Sequence, residues 1–177
     1  MKFTPTPIAG AVLIEPEPHP DERGFFARTW CEDELRVHGL ATHIAQASLS
    51  FSHRRGTLRG MHYQLAPHEE IKLVAVQRGA IHDVLLDLRP DSPSYRQWWA
   101  VRLDDVAHVT LYIPGGVAHG FQTLADATTV SYRMSVPHHP AAARGIRYDD
   151  PAFGIAWPEP VTVISERDQR YPDVELP

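Results

Sequence analysis

Apolar residues in this chain fall in short runs, not at the three-to-four spacing of an amphipathic helix. From residue 43 onward the runs are His43–Ser52, Thr57–Gln64, Ile71–Gln77, Ile81–Leu88, Gln97–Leu103, Val109–Ile113, Ala118–Leu124 and Thr128–Val136. Turn-forming residues separate them: Arg55-Gly56, Arg78-Gly79, Pro90-Asp91, Gly115-Gly116 and Asp126. Short apolar segments roughly ten residues apart predict antiparallel strands in an all-β sandwich or barrel. Upstream, Gly10–Glu15 predicts an opening strand, closed by a loop at Pro16, Pro18 and Pro20. Gly24–Trp30 predicts an aromatic strand. Cys31–His38 predicts the one helix of any length, with an acidic start, a basic end and Gly39 as its stop. Pro137–Pro177 has little periodicity. It predicts a covering segment with one short strand at Ile146–Tyr148 and a helical turn near Ser165–Arg170.

Alternation within these strands places polar residues where packing residues belong. Lys72 shares a face with Val74 and Val76 in a strand apolar on both sides. Lysine is almost never buried without a partner, so Lys72 either points into a covered space or snorkels from the strand end. Tyr132 shares a face with Val130 and Met134, as a core tyrosine does and as a catalytic phenol would. Thr57–Gln64 carries an arginine, a histidine and a Tyr-Gln pair where a packing strand would hold Val and Ile. Strict alternation puts Arg59 and His62 on opposite faces, and a bulge at Gly60 would bring them to one.

Composition narrows the function classes. A chain of 177 residues with 43% hydrophobic and 22% charged residues fits one globular domain, residues 1–177. The net charge of −5, without a basic run, argues against a nucleic-acid partner. No long apolar stretch predicts a membrane span or a signal peptide. The single cysteine, Cys31, excludes an internal disulfide and suits a reducing cytoplasm. Eleven histidines raise the question of metal. Pro114-Gly115-Gly116-Val117-Ala118-His119 has the Pro-x-Gly-x-x-His form of one cupin metal motif. The companion His-x-His motif would fall at His62-Tyr63-Gln64, where a poor metal ligand, glutamine, replaces the second imidazole. His62 and His119 alone are too sparse a set, so no metal is expected.

Without a metal, His62 is free for acid–base work. An imidazole removes a proton from carbon only when that carbon is acidified, as it is beside a ketone. Lys72 can stabilise the enolate oxygen. Tyr132 can return a proton from the opposite face. This set suits epimerisation next to a carbonyl. Arg23 and Arg59 present fork-shaped donors matched to a diphosphate, although either also reads as a surface ion-pair residue. No nucleophile elbow, Walker-type loop or dinucleotide fingerprint is present.

Several stretches together resemble the dTDP-4-dehydrorhamnose 3,5-epimerase family. They are Arg23-Gly24-Phe25-Phe26, Leu58–Gln64, Lys72-Leu73-Val74, Asp83–Arg89 with Ser92-Pro93, Ile113–Phe121, Asp150-Pro151 with Gly154–Pro158, and Ser165-Glu166-Arg167-Asp168. They lie in the family's order and span nearly the whole chain. The resemblance implies a cupin-type jelly-roll barrel with one or two short helices and an irregular C-terminal segment. It implies a homodimer in which an N-terminal strand crosses to the partner. It implies epimerisation of a nucleoside-diphosphate 4-keto-6-deoxysugar at C3, C5 or both, without a cofactor, in deoxysugar biosynthesis. By the same resemblance His62 is the base, oriented by Asp168; Lys72 steadies the enolate and Tyr132 is the acid. Arg59 and His119 hold the diphosphate or sugar, while Arg23, Phe26 and Gln46 belong to the nucleotide pocket.

Three departures bear on specificity. Arg28 stands where the family usually has a glutamate that meets thymine N3–H, and an arginine can only donate. Ser48 replaces an asparagine on the strand facing the nucleotide. Pro137-His138-His139 replaces a tyrosine beside the sugar. The expected substrate is therefore a dTDP-4-keto sugar or a relative carrying CDP or GDP.

Overall fold

The computed structural model describes residues 1–174 and folds them into two facing antiparallel sheets, a jelly-roll barrel. The strands are β1 (Lys2–Pro5), β2 (Val12–Glu15), β3 (His19–Asp21), β4 (Gly24–Phe26), β5 (Gln46–Ser52), β6 (Leu58–Gln64), β7 (Lys72–Arg78), β8 (Ala80–Asp87), β9 (Trp98–Asp104), β10 (Thr110–Ile113), β11 (Val117–Thr123), β12 (Thr128–Met134) and β13 (Ala143–Gly145). Two short helices join them, α1 (Glu32–Val37) and α2 (Glu166–Gln169). One sheet runs β1-β2-β10-β7-β12-β5 and the other β13-β6-β11-β8-β9.

The alternation of each strand sorts its apolar residues between two environments. Val74 and Val76 of β7 meet Leu85, Phe121 and Val130 in the core between the sheets. Leu73, one residue out of phase, turns outward to Leu35 of α1, Ile14 and Tyr112. On the second sheet Met61, Val84, Leu86 and Ala118 also face outward, where Ile146 and Ile155 of the C-terminal segment cover them. The aperiodic segment around residues 146–157 thus covers the outer face of one sheet.

Differences from the sequence reading are local. The proline-rich stretch after residue 15 is not wholly a loop. His19–Asp21 pairs with Gly24–Phe26 in a separate hairpin, which takes the place of the strand expected over Gly24–Trp30. β5 starts at Gln46, not His43. A further strand, β1, lies ahead of the expected opening strand: it pairs with β2 of its own chain, with Pro5 at its end, where a missing N–H is tolerated. The late strand is Ala143–Gly145, just ahead of the expected Ile146–Tyr148, and Ile146 still exchanges backbone bonds with Met61.

One polar knot ties the N-terminal segment to the barrel. Asp87 is fully buried. It accepts from Arg89 Nε at 2.8 Å and Nη2 at 2.7 Å, and from the hydroxyls of Ser92 and Ser94 at 2.5 and 2.6 Å. Arg89 Nη2 also donates to the Ala9 carbonyl at 2.6 Å. Burial alone would raise the Asp87 carboxyl, but Arg89, both serines and the Arg89 amide outweigh it and hold the group far below the usual carboxylate range. Breaking such a pair strands the Arg89 charge, so Asp87→Asn is expected to lower unfolding stability by about 3 kcal/mol at neutral pH in denaturant titration. Because the folded-state value is the depressed one, this contribution is complete above about pH 4 and erodes as pH falls. The gap between variant and wild type should close on acidification.

Candidate active site

A cavity of about 720 Å³ opens between the two sheets. Its walls include His62, Lys72, Tyr132, Asp168, Arg59, His119, Gln46, Ser48 and His138.

The register of β6 explains how Arg59 and His62 reach the same space. Opposite β11, His62 pairs with His119 and Arg59 with Phe121, so Gly60 and Met61 together face the single residue Gly120. This two-for-one bulge resets the alternation. Met61 turns to the outer layer, and both polar side chains turn to the cavity. Two glycines permit it. Gly60 sits at φ +116°, and a Cβ there would lie 2.5 Å from the Gly120 Cα.

His62 is one-third exposed, and its Nε2 lies 2.7 Å from Asp168 Oδ1. Asp168 comes from α2, where its amide donates to Ser165 Oγ at 3.1 Å. Its other oxygen accepts from the Gly60 amide at 3.3 Å, which fastens α2 to the bulge. Burial would raise this carboxyl, but His62, the Gly60 amide and Ser165 together hold it below its ordinary value. Asp168 is therefore ionised at neutral pH and accepts the Nε2–H, which leaves the Nδ1 lone pair of His62 free. Arg167 Nη2 stands 3.1 Å from the same Nε2, and Arg167 Nε stands 3.5 Å from the same carboxylate. A nitrogen already bearing hydrogen cannot accept, so Arg167 acts on the Asp168 charge.

Lys72 points inward, on the face of Val74 and Val76. Its Nζ donates to the His62 carbonyl at 3.0 Å and lies 3.1 Å from Glu70 Oε1. Desolvation drives its ammonium below the ordinary lysine range, with Glu70 and Asp83 opposing. Tyr132 stands on β12, next to β7 in the same sheet, and faces the strands of His62 and His119 across the cavity, its ring 5.9 Å from that of His119 at a steep angle. Desolvation, aided by the Asp83 charge and opposed by Arg59, pushes its phenol far above the usual value. That keeps it protonated and able to donate. His119 Nε2 lies 2.9 Å from the fully buried Asp83.

Arg59 crosses the cavity wall to β5, donating from Nε to Ser52 Oγ at 3.2 Å and from Nη2 to the Phe51 carbonyl at 2.9 Å. Gln46 accepts from the His138 amide at 2.7 Å. Gln64, in the place of a second metal-binding imidazole, is buried in the cavity wall with its amide engaged by loop backbone. It donates to the His68 carbonyl at 2.9 Å and accepts from the His139 amide at 2.6 Å, beneath the stacked His68 and His139 rings. Among the described residues no group of three His, Cys, Asp or Glu side chains is placed to hold a metal.

Arg23, Phe26 and Arg28 do not line the cavity of their own chain. Arg23 pairs with Asp21 at 2.5 Å, Arg28 pairs with Glu34 at 2.8 Å, and Phe26 is 77% exposed. In turn, the cavity wall includes residues that the sequence reading did not single out: Glu70, Ser50, Arg167 and Tyr171. The Ser50 hydroxyl is buried and unpartnered. The Tyr171 ring packs where any Gly145 side chain would sit, 6.3 Å from the His62 ring. Alternation alone could have found Glu70 and Ser50, which share faces with Lys72 and Ser48. Arg167 and Tyr171 lie in the aperiodic tail and gave no such signal.

The family model described as dTDP-4-dehydrorhamnose 3,5-epimerase matches residues 5–175. A dTDP-4-dehydrorhamnose 3,5-epimerase of Sinorhizobium fredii is 40% identical over all of this chain and 92% of its own length. A dTDP-4-dehydrorhamnose 3-epimerase of Streptomyces niveus is 38% identical over 96% of this chain and 82% of its own. The crystal structure of dTDP-4-dehydrorhamnose 3,5-epimerase from Bacillus anthracis, with TDP and PPi bound, superposes with a TM-score of 0.94. It is 35% identical and covers 98% of this chain and 99% of that one.

Proposed function

This chain belongs to the dTDP-4-dehydrorhamnose 3,5-epimerase family, and we propose that it converts dTDP-4-dehydro-6-deoxyglucose to dTDP-4-dehydrorhamnose by inverting C3 and C5. One observation carries the reading: a histidine of one sheet, paired with a carboxylate, meets a buried lysine and a phenol from two neighbouring strands of the facing sheet across one cavity. His62 takes the proton from the carbon beside the C4 ketone. The electron pair moves to the C4 oxygen as an enolate, which the Lys72 ammonium stabilises. Tyr132 delivers a proton to the other face of the carbon, and the ketone re-forms. Asp168 holds the tautomer of His62 and balances the imidazolium. No electron leaves the sugar, so the sequence of steps closes without a redox group or metal. Arg59 serves the diphosphate as a forked donor, with His119, Gln46, Ser48 and His138 along the same wall.

We take the assembly to be a homodimer. The β3–β4 hairpin carries Phe25 and Phe26, 54% and 77% exposed, and the outer face of β5 carries Leu49 and Phe51, 73% and 46% exposed. A second copy covering them would bring Arg23, Phe26 and Arg28 to the partner's cavity. Cys31, a free thiol, suits the cytosol, where we place the activity.

For the nucleotide we favour dTDP. The relative from Bacillus anthracis holds TDP, and Glu34 already engages the Arg28 guanidinium that departs from the family pattern. Calorimetric titration is expected to give at least tenfold tighter binding for dTDP than for CDP or GDP, about 1.4 kcal/mol or more. Tighter binding of CDP or GDP would overturn this choice and return Arg28 to the base pocket.

A further inference from the structure

Glu70 stands just ahead of β7, and the period of two places it on the face that carries Lys72. Its Oε1 lies 3.1 Å from the ammonium, and the two side chains are only 11% and 7% exposed. An ammonium so enclosed tends to the neutral amine unless opposite charge compensates the lost water. The groups that surround it come from several elements. β6 offers the His62 carbonyl, β8 offers Asp83, β11 offers His119, β12 offers Tyr132, and α2 offers Asp168. Asp168 is spent on His62 and Gly60. Asp83 is taken by His119. Among the described residues Glu70 is left as the carboxylate in direct contact. Burial drives Lys72 down, and Glu70, ahead of Asp83, opposes the shift.

On the epimerase reading above, we propose that Glu70 is a positioning residue for the reaction: it holds Lys72 as a charged ammonium against the enolate oxygen and sets the upper pH limit of catalysis. Glu70 acts through Lys72, not on the sugar. With a neutral amine at position 72 a hydrogen bond to the enolate would remain, but the charge that makes the adjacent carbon acidic would be lost.

Glu70→Gln keeps the shape and removes the charge. Two readouts decide the matter: the ¹⁵Nζ titration of Lys72 by NMR, and the pH profile of substrate proton exchange in deuterated water. An opposite charge at this distance moves a pKa by about one unit or more. The Lys72 midpoint should therefore fall by that amount in the variant, and the alkaline limb of the exchange rate should fall with it. The variant should be about tenfold slower than wild type on that limb and close to wild type at lower pH. Glu70→Asp, which keeps the charge, should recover most of the wild-type profile. An unmoved Lys72 midpoint in a variant whose wild type exchanges normally overturns the proposal alone. So does a moved midpoint with a fixed alkaline limb. Absence of exchange in the wild type at every pH overturns the epimerase reading, and this proposal with it.

Discussion

His62→Ala should abolish proton exchange at C3 and C5 of the 4-keto sugar, lowering kcat by about three orders of magnitude while leaving the fold intact. General-base catalysis contributes about 10²–10⁴-fold, and among the described residues no neighbour is placed to replace this base. Asp168 accepts the His62 proton through the oxygen that faces the ring, and its other oxygen is held by the Gly60 amide. The fold should survive because the His62 side chain is one-third exposed and belongs to no apolar cluster. Thermal unfolding by circular dichroism would check that separately. Exchange persisting near the wild-type rate would remove His62 from its role.

Tyr132→Phe should separate two events that the wild type couples. The base and the cation remain, so the carbon still loses its proton. The phenylalanine ring keeps the packing of Tyr132 against the inter-sheet core but has no proton to give. The carbanion is then reprotonated from the face of His62, with retention. In deuterated water the variant should return deuterated, uninverted sugar, with exchange within about tenfold of wild type and inversion lower by at least about a hundredfold. Exchange and inversion falling together would mean that Tyr132 does not act as a separate acid on the opposite face.

The strands were legible because their alternation has a period, and so was the inward position of Lys72. The same alternation misplaces Arg59 relative to His62, since it cannot register the extra residue in β6. Gly60 hints at a bulge, but only the pairing of Arg59 with Phe121 and His62 with His119 defines it. Asp168 was legible only through resemblance. It reaches His62 from 106 positions downstream, on a four-residue helix in a stretch without periodicity. Arg167 and Tyr171 enter the cavity from the same stretch: Arg167 lies in the motif that carried the resemblance but had no role read from it, and Tyr171 carried no signal. Glu70 was within reach of the period of two that placed Lys72, but it lies ahead of the apolar run of β7, where a carboxylate also reads as a loop residue. The β3–β4 hairpin was obscured by Pro18 and Pro20, which read as loop residues although a two-stranded ribbon tolerates them at its edges.

In the proposed mechanism a base on one sheet and an acid on the other exchange carbon-bound protons without a metal. Incubating the wild-type protein with dTDP-4-dehydro-6-deoxyglucose in deuterated water containing a chelator tests it most directly, with the product followed by ¹H NMR. Deuterium is expected at both C3 and C5 of an inverted sugar, at a rate the chelator does not change. Inversion without deuterium, or exchange that stops in chelator and returns with added metal, would contradict it.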